Sequence, residues 1–196
     1  LANLDKRLRD TMRVELKKLQ EKVGITTLYV THDQEEALTM ADRIVVMHDG
    51  NILQVGSPKD VYNDPSSQFV AGFLGETSSF NGKARTSSDG QNEVVVDTDM
   101  IVRPGSNARF SEGNNVFVSI RPERIKLFKE KQPQDVNCTS GVIDFVSYLG
   151  SHVFYFISVL NGKSLLKASE PIPHGEASFK AGDFVHAYWQ EENVVC

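Results

Sequence analysis

The first part of the chain changes from a helical to an extended hydrophobic pattern. Apolar residues recur at intervals of three and four, which predicts an amphipathic helix with the stripe Leu8, Met12, Leu16, Leu19 and Val23. Asp5 is placed to cap this helix, and Gly24 is placed to end it. The apolar run 28–30 then predicts a buried strand that begins at Ile25. Helix and strand together indicate part of an α/β repeat.

His32 lies at the end of the predicted strand, just before a second predicted helix. Asp33 is placed to cap that helix, and Glu36, three residues on, is placed to complete a capping box. Open α/β sheets bind ligands at the carboxyl ends of their strands. An imidazole there can hydrogen-bond to a phosphate and stabilise charge that develops on it. The alternative is a histidine that only ends a strand.

The pattern changes near residues 76–79, and the rest of the chain has short apolar stretches separated by Gly, Asn, Asp and Pro. We therefore predict two domains, residues 1–75 and 76–196. The predicted strands of the second are 80–85, 93–96, 116–120, 125–128, 141–149, 152–160, 164–168 and 184–189. Turn signals at 149–151 and 161–162 join several of them, and 87–92 is predicted to be an exposed hairpin tip. Many short strands with small turns indicate a β-barrel or sandwich.

Composition narrows the functional classes. The 196 residues carry a net charge of −5, which does not favour nucleic acid as a partner. The sequence contains no run of about 18 apolar residues, so we expect any membrane role to depend on a partner protein. Cys138 and Cys196 have no metal-like spacing and fit a reducing cytoplasm. The histidines are scattered, so we predict no metal site.

Three features have both a structural and a functional interpretation. The basic residues of the first helix are interleaved with acidic ones, which favours a solvated face. Pro122 between Arg121 and Glu123 indicates a strand bend with a structural ion pair. Five aromatic residues could stack nucleic-acid bases, but their alternating positions and the few basic residues nearby favour core packing: Phe154, Tyr155, Phe156, Tyr188 and Trp189.

Residues 1–75 resemble the end of the nucleotide-binding domain of an ABC importer's ATP-hydrolysing subunit. The resemblance lies in an ordered set of segments, 1–5, 24–37, 41–47, 50–58, 61–65 and 69–75. It implies that His32 is the family's switch histidine, which contacts the γ-phosphate and positions the attacking water. It also implies that residues 2–5 form the D-loop, with Asn3 and Asp5 contacting nucleotide-binding elements across a dimer.

Motifs that this family needs for ATP hydrolysis are missing from the sequence. The sequence contains no Gly-x-x-x-x-Gly-Lys-Ser/Thr loop and no Leu-Ser-Gly-Gly-Gln signature, and it does not include the Asp-Glu pair that the family has just before the D-loop. The resemblance implies that the full-length subunit binds ATP and Mg²⁺. We expect this chain to be the carboxyl-terminal part of such a subunit, and to be inactive and without cofactor when alone.

Residues 76–196 resemble the regulatory TOBE domain of these importers. The resemblance is carried by Arg-Pro-Glu at 121–123, by Leu-Gly at 149–150 and by Phe-Asn-Gly at 80–82. Segments 40–47 and 148–152 look most like polyamine (spermidine and putrescine) importers, although iron(III) and sugar importers share much of the pattern. The implied fold is an α/β remnant, the carboxyl-terminal part of a RecA-like P-loop NTPase domain, followed by an all-β OB-like (TOBE) barrel.

The resemblance also implies partners and a location. The partners are a second copy of the ATPase subunit and transmembrane permease subunits, without nucleic acid. The location is cytoplasmic, peripheral on the inner face of the membrane. Two alternatives remain at this point. One is an OB-like module that binds a small ligand or nucleic acid, with residues 1–75 as a scaffold, and the other is an inert truncation product.

Overall fold

A computed structural model describes residues 2–98, 100–105, 108, 110–133, 137–172 and 175–196, with the backbone alone for 2–7, 9 and 10. The chain divides into two compact units, Leu1–Gly75 and Glu76–Cys196. The first unit contains four helices and one antiparallel hairpin in its described part: α1 (Ala2–Val23), α2 (Gln34–Met40), β1 (Ile44–His48), β2 (Asn51–Gly56), α3 (Pro58–Asn63) and α4 (Gln68–Phe73).

The hairpin and the two helices after it enclose a small apolar core. Asp49 and Gly50 have φ values of 48° and 77°, the positive values that a two-residue hairpin turn requires. Ser57 and Ser67 cap α3 and α4 by accepting hydrogen bonds from backbone N–H groups. The buried side chains of this core are Ile44, Val46, Val61, Val70 and Leu74. Local turn and cap signals therefore place one face of the hairpin against these helices.

The strand predicted from Ile25 is wrong. Residues 25–30 form no regular secondary structure, and Leu28 and Val30 are 89% and 87% exposed. A strand needs a neighbour to pair its N–H and C=O groups, and none of the described strands pairs with this segment. The predicted first helix is confirmed as α1, but its apolar stripe is exposed. Because α1 begins at Ala2, Asp5 lies within the helix, and its predicted capping role is also wrong.

The second unit contains two five-stranded antiparallel sheets. Their orders are β10-β9-β8-β11-β7 and β12-β6-β3-β4-β5. The strands are β3 (Ser78–Thr86), β4 (Asn92–Asp97), β5 (Met100–Val102), β6 (Asn115–Ile120), β7 (Lys126–Phe128), β8 (Cys138–Tyr148), β9 (His152–Val159), β10 (Ser164–Pro171), β11 (Phe184–Tyr188) and β12 (Val194–Val195). All eight strands predicted here are confirmed, with β5 and β12 in addition.

One apolar core joins the two sheets. Val118 and Ile120 come from one sheet, and Tyr155, Ile157 and Leu166 come from the other. β9 alternates strictly, because Val153, Tyr155, Ile157 and Val159 are buried while the residues between them are not. Core packing is confirmed for three of the five aromatic residues in question, Tyr155, Tyr188 and Trp189. Phe154 and Phe156 lie on the opposite face of β9 and are half-buried.

A β-bulge interrupts the pairing of β8 with β9. The register shifts between Ile143 and Phe145, so that Ile143 pairs with Ile157 and Phe145 pairs with Phe156. Asp144 is the extra residue. Bulges of this kind bend the strand and increase its twist.

The bend predicted at Pro122 is confirmed. Pro122–Arg124 form a 3₁₀ turn that separates β6 from β7. The Arg121 side chain is buried, and its Nη1 donates a hydrogen bond to the Glu76 carbonyl at 3.2 Å. The ion pair between Arg121 and Glu123 stays a prediction, and Glu123 is exposed.

A buried carboxylate connects three strands of the second unit. Glu93, in β4, accepts hydrogen bonds from Arg85 Nη2, in β3, at 2.5 Å and from Arg103 Nε, just after β5, at 2.9 Å. The hydrogen bond from Arg85 is the main cause that lowers the pKa of Glu93, and burial opposes it. Charged Glu93 therefore stabilises the folded state at neutral pH.

We predict that Glu93→Gln destabilises the second unit by about 1–3 kcal/mol. This is less than for a fully buried pair, because both arginines reach solvent. Urea unfolding at pH 7 measures the difference, with Glu112→Gln at an exposed site as the control. Because the folded-state pKa is lowered, this contribution should be complete above the ordinary value of 4.5 and lost as pH falls through the folded-state pKa. A variant as stable as the parent chain at pH 7 would contradict the prediction.

Candidate functional site

His32 is exposed at the point where the unpaired segment 25–31 meets α2. The cap predicted beside it is confirmed. Asp33 Oδ1 accepts hydrogen bonds from the backbone N–H of Glu35 at 2.9 Å and of Glu36 at 3.3 Å. These bonds satisfy two of the free donors at the start of α2. The cap, one residue after His32, therefore fixes the start of α2 at Gln34.

The reciprocal half of the predicted capping box is wrong. The Asp33 N–H donates to Thr31 Oγ1 at 2.9 Å and not to the Glu36 carboxylate. Glu36 Oε2 instead accepts hydrogen bonds from the Thr31 hydroxyl at 2.6 Å and the Tyr29 hydroxyl at 3.1 Å. The Thr31 hydroxyl takes the place that the carboxylate has in a capping box, so Glu36 turns back toward the segment before His32.

Arg13 of α1 completes this group, and the sequence patterns did not single it out. Its Nη2 donates to Asp33 Oδ2 at 2.8 Å and to Glu36 Oε1 at 3.0 Å, and its Nε donates to Glu36 Oε1 at 3.3 Å. The Arg13 side chain is only 14% exposed, as is that of Glu36. A guanidinium held by two carboxylates is typical of a strong, orienting contact. We call Arg13, Tyr29, Thr31, Asp33 and Glu36 the Arg13 cluster.

The cluster shifts the titration of two of its members. Hydrogen bonds from Thr31 first, and then from Arg13, hold the pKa of Glu36 below its ordinary value. The hydrogen bond from Tyr29 to the same carboxylate raises the pKa of Tyr29. Glu36 therefore stays ionised at neutral pH and keeps its contacts to Thr31, Tyr29 and Arg13.

The His32 ring takes no part in these bonds. Within the described part of the chain, no side chain or backbone group hydrogen-bonds to it, and it faces solvent. Asn3 and Asp5, the other predicted site residues, lie in α1, where the structure describes their backbone and not their side chains. Their contacts across a dimer stay a prediction, as does the role of His32.

The residues present do not make a complete site for ATP and Mg²⁺. His32 is a single exposed side chain, and the sequence has no glycine-rich phosphate loop or its lysine. The described His, Cys, Asp and Glu side chains nowhere gather in threes as metal ligands would. Among the described helices, none has both the length and the apolar character needed to cross a membrane.

We predict that Thr31→Val raises the pKa of Glu36 toward its ordinary value of 4.5, because the Thr31 hydroxyl is the main cause of the lowered pKa. A carbon-detected NMR titration of the Glu36 carboxyl measures it. Thr39→Val is the matched control, since the Thr39 hydroxyl donates to the backbone carbonyls of Glu35 at 2.6 Å and Glu36 at 3.4 Å and not to the Glu36 carboxylate. If the pKa of Glu36 is the same in Thr31→Val as in the parent chain, the hydrogen bond from Thr31 does not lower it and the prediction is wrong.

Comparison with known proteins gives a consistent result for the whole chain. Residues 118–196 match the family model of the TOBE domain. The spermidine/putrescine import ATP-binding protein PotA of Trichodesmium erythraeum is 36% identical, over 100% of this chain and 52% of its own length. The protein of the same name from Marinobacter nauticus is 39% identical, over 96% of this chain and 50% of its own length. The chain thus spans about half the length of these relatives.

A solved structure shares the fold. The cytoplasmic molybdate-binding protein ModG, solved with molybdate bound, aligns with a TM-score of 0.51 over 60% of this chain and 92% of its own. At 11% identity this likeness concerns the fold alone. It agrees with the all-β OB-like part of the predicted fold class. Residues 118–196 are a TOBE domain, and nearly the whole chain is similar to about half of the length of ATP-binding subunits of ABC importers.

Proposed function

We propose that this chain is part of the ATP-hydrolysing subunit of an ABC importer for polyamines such as spermidine and putrescine. The observation that carries the proposal is the similarity of 36–39% over 96–100% of the chain to import ATP-binding proteins named for these substrates. The similarity includes residues 1–75, so it is not confined to the TOBE domain. An isolated OB-like binding module does not account for it.

The exposed apolar surface of the first unit supports this proposal. The stripe on α1 and residues 25–30 together leave large apolar side chains in contact with water, among them Leu16, Leu19, Leu28 and Val30. Surface of this kind is typical of a contact with other protein. Because the relatives are about twice as long as this chain, the complete nucleotide-binding domain has the polypeptide to cover it. Residues 25–30 would then gain the neighbouring strands that they lack here.

Roles for individual residues follow from the family. His32 acts as the switch histidine of the complete subunit, and its exposure leaves the ring accessible for that role. Asn3 and Asp5 contact a second copy of the subunit through the D-loop. The complete subunit binds ATP and Mg²⁺, works with transmembrane permease subunits, and lies on the cytoplasmic side of the membrane. The TOBE domain has a regulatory role and helps two copies to associate.

The proposal predicts that a chimaera hydrolyses ATP. In the chimaera, the part of the Trichodesmium relative that this chain does not match is fused in front of residue 1 of this chain. His32→Ala should lower its turnover by on the order of 100-fold or more, the usual effect of losing a group that stabilises developing charge. His152→Ala, an exposed histidine of the second unit, is the matched control. Phosphate release is the measurement, and turnover left intact by His32→Ala would refute the assigned role.

The chain alone should not bind ATP. The reason is that the backbone cradle and lysine of the phosphate loop are missing from its sequence. Isothermal titration of the chain with ATP and Mg²⁺ should give no measurable heat of binding. Micromolar affinity would contradict this expectation and point to a nucleotide site of another kind.

A further inference from the structure

We propose that Arg13 is the positioning residue for His32. It fixes the backbone on both sides of His32 through the Arg13 cluster and so holds the ring outward, without touching the ring. The consequence for ATP hydrolysis rests on the proposed function. The geometry itself belongs to the chain as it stands and is testable there.

The first step is that the Arg13 guanidinium contacts two residues that follow His32, Asp33 and Glu36. Arg13 contacts Asp33 at 2.8 Å and Glu36 at 3.0 Å through the same Nη2 atom, and Nε adds a third bond at 3.3 Å. Asp33 directly follows His32 and caps α2, and Glu36 lies in the first turn of α2. Arg13 therefore connects the middle of α1 to the start of α2, 20 residues along the chain.

The second step concerns Thr31, the residue before His32, which is connected to Arg13 through Glu36. Glu36 accepts the Thr31 hydroxyl at 2.6 Å, and the same Thr31 oxygen accepts the Asp33 N–H at 2.9 Å. Thr31 and Asp33 are thus bonded to each other around His32, and both are connected to Arg13. With its two neighbours held, the His32 backbone has little freedom left. This backbone sets the direction of the Cα–Cβ bond of His32, and with it the region that the ring can occupy.

The third step is electrostatic. Asp33, Glu35 and Glu36 all have carboxylate oxygens within 4 Å of the Arg13 guanidinium, Glu35 at 3.8 Å. The Arg13 and Glu36 side chains are mostly shielded from water, so the attraction is less screened than at an exposed pair. Without the guanidinium, the carboxylates of Asp33 and Glu36 would face each other uncompensated. Loss of Arg13 should therefore release the segment around His32.

A lysine cannot reproduce this arrangement. An ammonium is a compact charge, whereas the planar guanidinium offers several N–H groups in fixed directions. We expect Arg13→Lys to keep a charge near Asp33 and Glu36 but to lose part of the orientation. Arg13→Gln should lose both the positive charge and the fixed orientation of the contacts.

The test is an NMR comparison of the 196-residue chain with Arg13→Gln, Arg13→Lys and, as matched control, Lys18→Ala. Lys18 lies on the same helix and pairs only locally with Glu15 among the contacts shown by the structure. In the parent chain, the amides of His32 and Asp33 should have order parameters of about 0.85, falling toward 0.6 in Arg13→Gln. The ring signals of His32 should shift as well. Arg13→Lys should restore part of the order, and Lys18→Ala should change neither measurement.

Unchanged order and ring signals at His32 in Arg13→Gln would overturn the inference. If Arg13→Gln unfolds the first unit, Glu36→Gln provides the second test, since it removes the negative charge and replaces one of the two oxygens that join Arg13 to Thr31 with an NH₂ donor. Order around His32 as in the parent chain would then overturn the inference. These measurements need no ATP hydrolysis. Failure of the chimaera to hydrolyse ATP would refute the proposed function and leave the positioning of His32 intact.

Discussion

Pairing of backbone N–H and C=O groups decides which apolar segments of this chain become strands. In the second unit, each strand lies beside at least one antiparallel neighbour, and two sheets form around one core. Residues 25–30 also contain an apolar run but pair with none of the described strands, so they remain exposed and without regular secondary structure. A single extended segment leaves its polar backbone to water and gains little from its side chains. The same pattern thus has two outcomes, according to whether partner strands are present.

This constraint explains how much of the fold could be predicted from the sequence. Eight strands between 78 and 188 could be located because alternation and turn glycines are local signals. β5 and β12, three and two residues long, were missed because their place is set by pairing with β4 and β6 at the two edges of one sheet. The prediction at 25–30 was wrong because pairing is not local. No pattern within those six residues states whether a neighbour exists.

In the candidate site, too, the contacts between neighbouring residues could be predicted and those between distant residues could not. The cap at Asp33 could be predicted because it lies within three residues of the N–H groups that it satisfies. Arg13 could not, because it is one of many basic residues on α1 and its partners lie 20 or more positions later. The helix pattern places it next to Met12, at the edge of the apolar stripe, and that is the only available signal. Family resemblance points to His32, whereas the contacts that surround it are found only in three dimensions.

The bulge in β8 has a consequence for which substitutions and deletions this domain tolerates. Ile143 and Val146 are three residues apart, yet both point into the core, because Asp144 adds one residue between them. In an unbroken strand, positions three apart project to opposite sides. Deleting Asp144 would leave Phe145 opposite Phe156 and Val146 opposite Tyr155, so the side chains from Phe145 to Tyr148 would keep their facing, and the strand would lose its bulge. Asp144 therefore contributes the local bend and twist of β8, while the partners across the sheet decide which side chains face the core.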